Sequence, residues 1–184
     1  FGSDDKDKDK ALEQIVGLGM REQWLIKADE LNTEMGEMIG LGGQAQVFKG
    51  WYGYTPVAVK RYKQNKDKLN PRVLDELRIL RHVRHPNITL FHGACIEEES
   101  SARTCEISLV LELLQGISLW EYLVKSGDRP SMAKDRSAIL RGVIQALLYL
   151  HNRRPPVVHS DLKPGNIIVE QRNGRPFAKL LDFG

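Results

Sequence analysis

The sequence predicts an α+β protein in two successive parts, a small β-rich part with one main helix and then the start of a helical part. Three observations carry this. Residues 38–49 and 51–62 are dense in β-forming side chains, with Gly42-Gly43 inside the first stretch and Gly53 near a turn. A helical pattern with Leu74, Leu77 and Leu80 comes next, opened by Asn70-Pro71. The longest helical pattern, 131–152, comes only after two more strand patterns.

Taken in order, residues 1–10 alternate Asp and Lys after the first three, and the first 22 residues are expected to form a flexible charged segment. Residues 11–33 leave room for a short helix, with Trp24, Leu25 and Ile26 placed to dock on the adjoining domain. The helix after Asn70 should end before Pro86. Strands are expected over 89–96 and 106–113. Ser118-Leu119-Trp120-Glu121 is a capping-box pattern that opens a short helix closing near Gly127. In 131–152, Ile139, Leu140, Val143, Ile144, Leu147, Leu148 and Leu150 make a broad apolar face, so that helix should be largely buried. Strands around 167–169 and 177–181 bracket Asn173-Gly174, a hairpin signal.

The 184 residues are 41% hydrophobic and 28% charged, with a net charge of +3. That is a globular composition long enough for a substantial core. Lys and Arg are dispersed among acids, which speaks against a nucleic-acid partner. No apolar run approaches the ~20 residues that span a bilayer. Cys95 and Cys105 flank a polar loop and lack the ligand spacing of a zinc site, so they read as reduced thiols. A cytoplasmic protein is the expectation.

Four segments carry chemistry. In Gly40-Leu41-Gly42-Gly43-Gln44-Ala45-Gln46-Val47, glycines let backbone amides approach phosphates, although Ala45 stands where a third glycine would strengthen the pattern. Lys60 closes the apolar strand Val57-Ala58-Val59-Lys60, and a buried ammonium needs a carboxylate, for which Asp75 and Glu76 compete. Asp161, Lys163 and Asn166 place a carboxylate, a cation and an amide oxygen within a few residues. Asp182 of Asp182-Phe183-Gly184 adds a second oxygen ligand. Phosphoryl transfer needs this set: an acceptor for the hydroxyl proton, a cation by the γ-phosphate and hard oxygens for Mg²⁺.

With these four segments in this order, residues 34–184 resemble a eukaryotic protein-kinase domain, with an N-lobe to about residue 112 and a partial C-lobe over 113–184. The resemblance implies a two-lobe kinase-like fold and a Ser/Thr kinase using ATP and Mg²⁺ on a protein substrate. It implies that Ile39, Gly40, Leu41, Gly42, Gly43 and Val47 cover the nucleotide. Lys60 would hold the α- and β-phosphates, and the family spacing to His85-Pro86-Asn87 selects Glu76 as its partner. Asp161 would be the catalytic base or orienter, Lys163 would neutralise the γ-phosphate, and Asn166 and Asp182 would bind Mg²⁺. Leu111 would be the gatekeeper, Glu112, Leu113 and Leu114 the hinge, and Ala58 and Ile168 the residues that sandwich adenine. Lys163 is similar to Ser/Thr kinases. Trp51-Tyr52-Gly53 and the stretch from His85 to Cys95 resemble the tyrosine-kinase-like group, which includes Raf-like and mixed-lineage enzymes. His85 and His159 read as packing residues.

Two departures stand out. Ser160 replaces the usual Arg, which in the family binds an activation-loop phosphate, so activity is expected not to depend strongly on that phosphate. The sequence ends at the metal-binding motif, so a piece truncated there is expected to be inactive alone and to expose part of the 131–152 face. A pseudokinase scaffold is the competing reading, and a small-molecule kinase a third.

Overall fold

The computed structural model describes residues 4–33, 36–41, 45–66, 69–98, 104–127 and 132–183. The chain divides into two compact units, Phe1–Arg81 with Phe91–Leu113, and His82–Leu90 with Leu114–Gly184.

The first unit holds α1 (Asp4–Arg21), a 3-10 turn at Ala28–Glu30, β1 (Leu31–Asn32), β2 (Met38–Leu41), β3 (Gln46–Tyr52), β4 (Thr55–Asn65), α2 (Pro71–Leu80), β5 (Phe91–Glu98) and β6 (Thr104–Glu112). The sheet is antiparallel, ordered β1-β3-β4-β6-β5, with β2 paired to β3. The β3–β4 turn uses Gly53 at φ 55°, a left-handed conformation that glycine adopts freely. Strand alternation puts Val57 and Val59 on one face, where they pack with Val110 and Ile26. Asn70 caps α2, its side chain accepting from the Arg72 N–H at 3.0 Å, and Pro71 takes the first helical position.

The N-terminal segment differs from the expected flexible stretch. Residues 4–21 form one helix, in which Leu12 and Gly19 are buried and Ile15 and Val16 half-buried, a helical i, i+3, i+4, i+7 set located after the charged run. Beyond it, the Ala94 N–H donates to Trp24 O and the Ile26 N–H to Ala94 O, both at 2.9 Å, which lays residues 24–26 along β5. Gly93 permits this approach, since a Cβ there would stand 2.4 Å from Trp24 O. Arg81, just past α2, pairs with Glu22.

Cys95 and Cys105 are free and buried. The register sets Cys95 opposite Ser108 and Cys105 opposite Glu98, so the two thiols lie three residue pairs apart. That is about 10 Å along the ladder, beyond disulfide reach. Burial pushes the Cys95 thiol up to about 11, with Glu97 and Glu106 adding to the effect, and burial also raises Cys105.

The second unit holds β7 (Gly116–Ser118), α3 (Leu119–Ser126), α4 (Met132–His151), β8 (Ile167–Arg172) and β9 (Arg175–Leu180), with the antiparallel order β7-β8-β9. Ser118 caps α3, its Oγ accepting from the Glu121 N–H at 3.2 Å. Asn173 (φ 51°) and Gly174 (φ 73°) make the β8–β9 turn, both with the positive φ that a two-residue hairpin of this twist requires. The segment 82–90 is stitched to β9: Asn87 Nδ2 donates to Ala178 O at 2.7 Å, the Leu180 N–H to Asn87 O at 2.8 Å, and the Thr89 N–H to Leu180 O at 2.9 Å. His85 accepts from the Asn87 N–H at 3.1 Å and stacks on Tyr149.

Helix α4 packs against β9, burying Ile139, Val143, Ala146 and Leu150. The expectation of a largely buried helix holds for that face alone. Leu140, Ile144 and Leu148 are 58%, 46% and 55% exposed, because no described residue covers their side of the helix.

Candidate functional site

In the first unit, β4 is the organising strand. Strand pairing places Val47, Ala58, Lys60, Leu109 and Leu111 on one face, since residues opposite one another in a ladder share a face. Gly40 pairs with Val47 across β2 and β3, and Ile39 and Leu41 are exposed beside it. Gly42 and Gly43 lie outside the described residues. Glu112 ends β6 and pairs with Val57, and Leu113 closes this unit.

Lys60 Nζ lies 2.8 Å from Glu76 Oε1 and 3.1 Å from Oε2. The Glu76 side chain is only 4% exposed and that of Lys60 12%. A carboxylate so buried requires a cation and full hydrogen bonding. The phase of α2 decides between the two acids. Val73, Glu76, Leu77 and Leu80 face inward, and Asp75 points outward to an exposed pair with Arg78 at 2.9 Å.

The sequence reading missed Tyr62. It lies two residues beyond Lys60, hence on the same strand face, and its hydroxyl donates to Glu76 Oε2. The Lys60 ammonium sits 5.4 Å from the Tyr62 ring centroid. Burial, then the Glu76 charge, raises the phenol pKa, so Tyr62 stays protonated as a donor. Glu76 is thus held by an ammonium and a phenol together. The strand parity was a signal in the sequence, but the reach to Glu76 depends on where α2 crosses the sheet.

In the second unit, the chain from Val157 to Asn166 forms a polar loop ending in a 3-10 turn, Pro164–Asn166. Asp161 is its focus. Lys163 Nζ donates to Asp161 Oδ2 at 2.7 Å, and Asn166 Nδ2 donates to the same oxygen at 2.8 Å and to Asp161 O at 2.9 Å. These bonds, from Lys163 first and Asn166 second, hold the Asp161 carboxyl below its usual range. Asn166 is buried and its backbone O accepts from the Leu181 N–H at 2.9 Å, which ties this loop to the residue before Asp182. Asp182 takes a positive φ of 50°. His159 is buried with its ring 5.0 Å from that of Phe183, a packing role. Burial lowers its pKa. Ser160, at φ 64°, spends its hydroxyl on Val158 O at 3.4 Å. Ile168 lies in β8 opposite Ser118 and Lys179, and Leu114 begins the longer stretch of this unit.

The donor chemistry suits magnesium. Asn166 uses its NH₂ on Asp161, so a metal would meet its amide oxygen, and Asp182 carries a carboxylate. Among the described residues no cluster of three or more His, Cys, Asp or Glu could hold a metal. Two hard oxygens suit Mg²⁺, which completes its shell with phosphate and water.

Residues 33–184 match the family described as protein kinase domain, so the chain belongs to the protein kinase domain family. It is 36% identical over 153 residues to the serine/threonine-protein kinase CTR1 of Arabidopsis thaliana, covering 80% of this chain and 17% of that protein. It is 31% identical over 186 residues to the U-box domain-containing protein 34 of the same plant, covering 97% of this chain and 22% of that protein. A serine/threonine-protein kinase/receptor of Acanthamoeba polyphaga mimivirus is 34% identical over 166 residues, 88% of this chain and 9% of its own length. The chain thus spans under a quarter of each of these relatives. Among the described residues no helix is long and apolar enough to cross a membrane.

Proposed function

We propose that the protein is an ATP-dependent serine/threonine kinase of the tyrosine-kinase-like group, with a protein hydroxyl as acceptor and with residues 34–184 as its kinase domain. The observation that carries this is the Asp161–Lys163–Asn166 cluster, in which an acceptor, a cation and a metal-binding amide share one carboxylate oxygen. The Lys60–Glu76 pair supports it as a buried cation suited to the α- and β-phosphates.

Asp161 accepts the hydrogen bond of the incoming Ser or Thr hydroxyl. Its lowered pKa makes it a weak base, so its main work is to aim the oxygen at the γ-phosphorus, taking the proton as the O–P bond forms. The bond from γ-phosphorus to the β–γ bridging oxygen breaks, and ADP departs with those electrons. Lys163 is near enough to Asp161 to exchange that carboxylate for γ-phosphate oxygens. Mg²⁺, held by Asn166 and Asp182, would neutralise phosphate charge. Ile39, Gly40, Leu41, Gly42, Gly43 and Val47 would cover the nucleotide, Ala58 and Ile168 would flank adenine, and Leu111 to Leu114 would supply the gatekeeper and hinge.

Lys163 and the stretches Trp51-Tyr52-Gly53 and His85 to Cys95 support the subgroup. Phosphoamino-acid analysis of the product tests the Ser/Thr acceptor: phosphoserine or phosphothreonine is expected, and phosphotyrosine alone contradicts it.

A further inference from the structure

The second unit carries a groove of about 670 Å³ that no part of the phosphoryl-transfer reading uses. One wall is an outward face of α4, on which Lys134, Ser137, Ala138, Arg141 and Gln145 recur at helical spacing. The other wall is the β8–β9 hairpin, with Arg172 and Arg175 at its tip. Gly142, Asn87 and Ala178 make the floor. A Cβ at Gly142 would stand 2.7 Å from Asn87 Nδ2, which itself holds Ala178 O, so this floor is built by close packing.

Among the described residues the lining charges are all positive: four basic side chains and no carboxylate border the groove. Arg172 is engaged, with its Nη2 2.6 Å from Glu170 Oε2 and its guanidinium 4.0 Å from the Phe177 ring centroid. Lys134, Arg141 and Arg175 have no ion pair with any described residue. Between the charges lie Ala133, Ala138, Pro176 and Phe177, an apolar strip. A phosphate backbone has no use for that strip, and an acidic peptide carrying apolar side chains would use both features. From Lys134 to Gln145 the helix runs about 16 Å, the length of about five extended residues.

We propose that this groove docks an extended acidic segment of a partner protein, its carboxylates on Lys134, Arg141 and Arg175 and its apolar side chains on the strip beside Phe177. Such docking is separate from phosphoryl transfer and stands whether or not the protein turns over ATP.

The test is fluorescence anisotropy with the full chain and three labelled peptides in Gly-Ser flanks: Glu-Leu-Glu-Leu-Asp, Glu-Ser-Glu-Ser-Asp and Lys-Leu-Lys-Leu-Lys. The first should bind saturably, more tightly than the other two, and more weakly as salt is raised. The triple variant K134E/R141E/R175E should bind it about tenfold more weakly or worse, and should accept the lysine peptide instead. All three positions are exposed, so the melting curve of the variant should match the wild type. If it does not, R141Q/R175Q, which removes charge without reversing it, carries the same comparison. Equal binding of the leucine and serine peptides would overturn the proposal, as would undiminished binding by the variants. Displacement by oligothymidylate at the same concentration would overturn it in favour of a nucleic-acid surface.

Discussion

Replacing Tyr62 by Phe isolates the contact that the sequence did not reveal. The change removes one oxygen and leaves the ring beside the Lys60 ammonium. The loss is a hydrogen bond to a carboxylate that is 4% exposed. A bond to a charged group contributes about 1.5–3 kcal/mol, and Glu76 keeps Lys60 as a partner. The expected cost is therefore ~2 kcal/mol, a fall in Tm of about 4–8 °C for a chain of this size. The assay is thermal unfolding of wild type, Y62F, E76L and the double variant. In the E76L background Y62F should cost under ~0.5 kcal/mol, because the group it serves is gone. Equal costs in both backgrounds would refute the idea that the phenol acts through Glu76. The pH dependence gives a second check. The folded pKa of Tyr62 is raised above its unfolded value of about 10, so its contribution is fully present below pH 10 and is lost as pH rises towards the folded value. Y62F should flatten that alkaline loss.

Three further outcomes rest on the same geometry. Gly93→Ala should release residues 24–26 from β5, lowering Tm and speeding amide exchange at Ile26 and Ala94, because the new Cβ meets Trp24 O. His85 has its pKa lowered by burial and then by Lys179, so the folded state resists a proton that the unfolded chain accepts. Stability should fall as pH drops from about 6.5 towards the lowered folded value, and His85→Phe should reduce the slope of that acid limb in a melting series. Phosphatase treatment of the full-length protein should leave its activity largely unchanged, since Ser160 cannot pair with an activation-loop phosphate; a large loss restored by rephosphorylation would contradict this.

How much was legible varies by element, for physical reasons. The β4 strand and the Asn173-Gly174 hairpin were readable because alternation and turn chemistry are local. Glu76 was legible only through the family spacing to His85-Pro86-Asn87, because Leu74, Leu77 and Leu80 at helical spacing do not fix the phase of α2, which buries Val73 and leaves Leu74 only half-covered. The end of α1 hid behind a charged run that dominates local composition, while its apolar set starts only at Leu12. The exposed stripe of Leu140, Ile144 and Leu148 could not be told from the buried one, since hydrophobicity marks both sides of α4 alike. Of the site, Asp161, Lys163 and Asn166 were legible because a few residues of loop bring them together. Tyr62 was not, because its contact joins a strand to a helix through tertiary placement alone.

The most direct measurement is transfer of the γ-phosphoryl of radiolabelled ATP to a protein acceptor by the full-length protein and its Asp161→Asn variant, with Mg²⁺ present. The variant keeps the shape of the loop side chain but loses the carboxylate that we propose orients the acceptor. A fall of about 10²-fold or more in kcat, with nucleotide binding retained, is the predicted result. Wild-type protein that binds ATP but transfers nothing, or a variant as active as the wild type, would contradict the assignment of phosphoryl transfer to this loop.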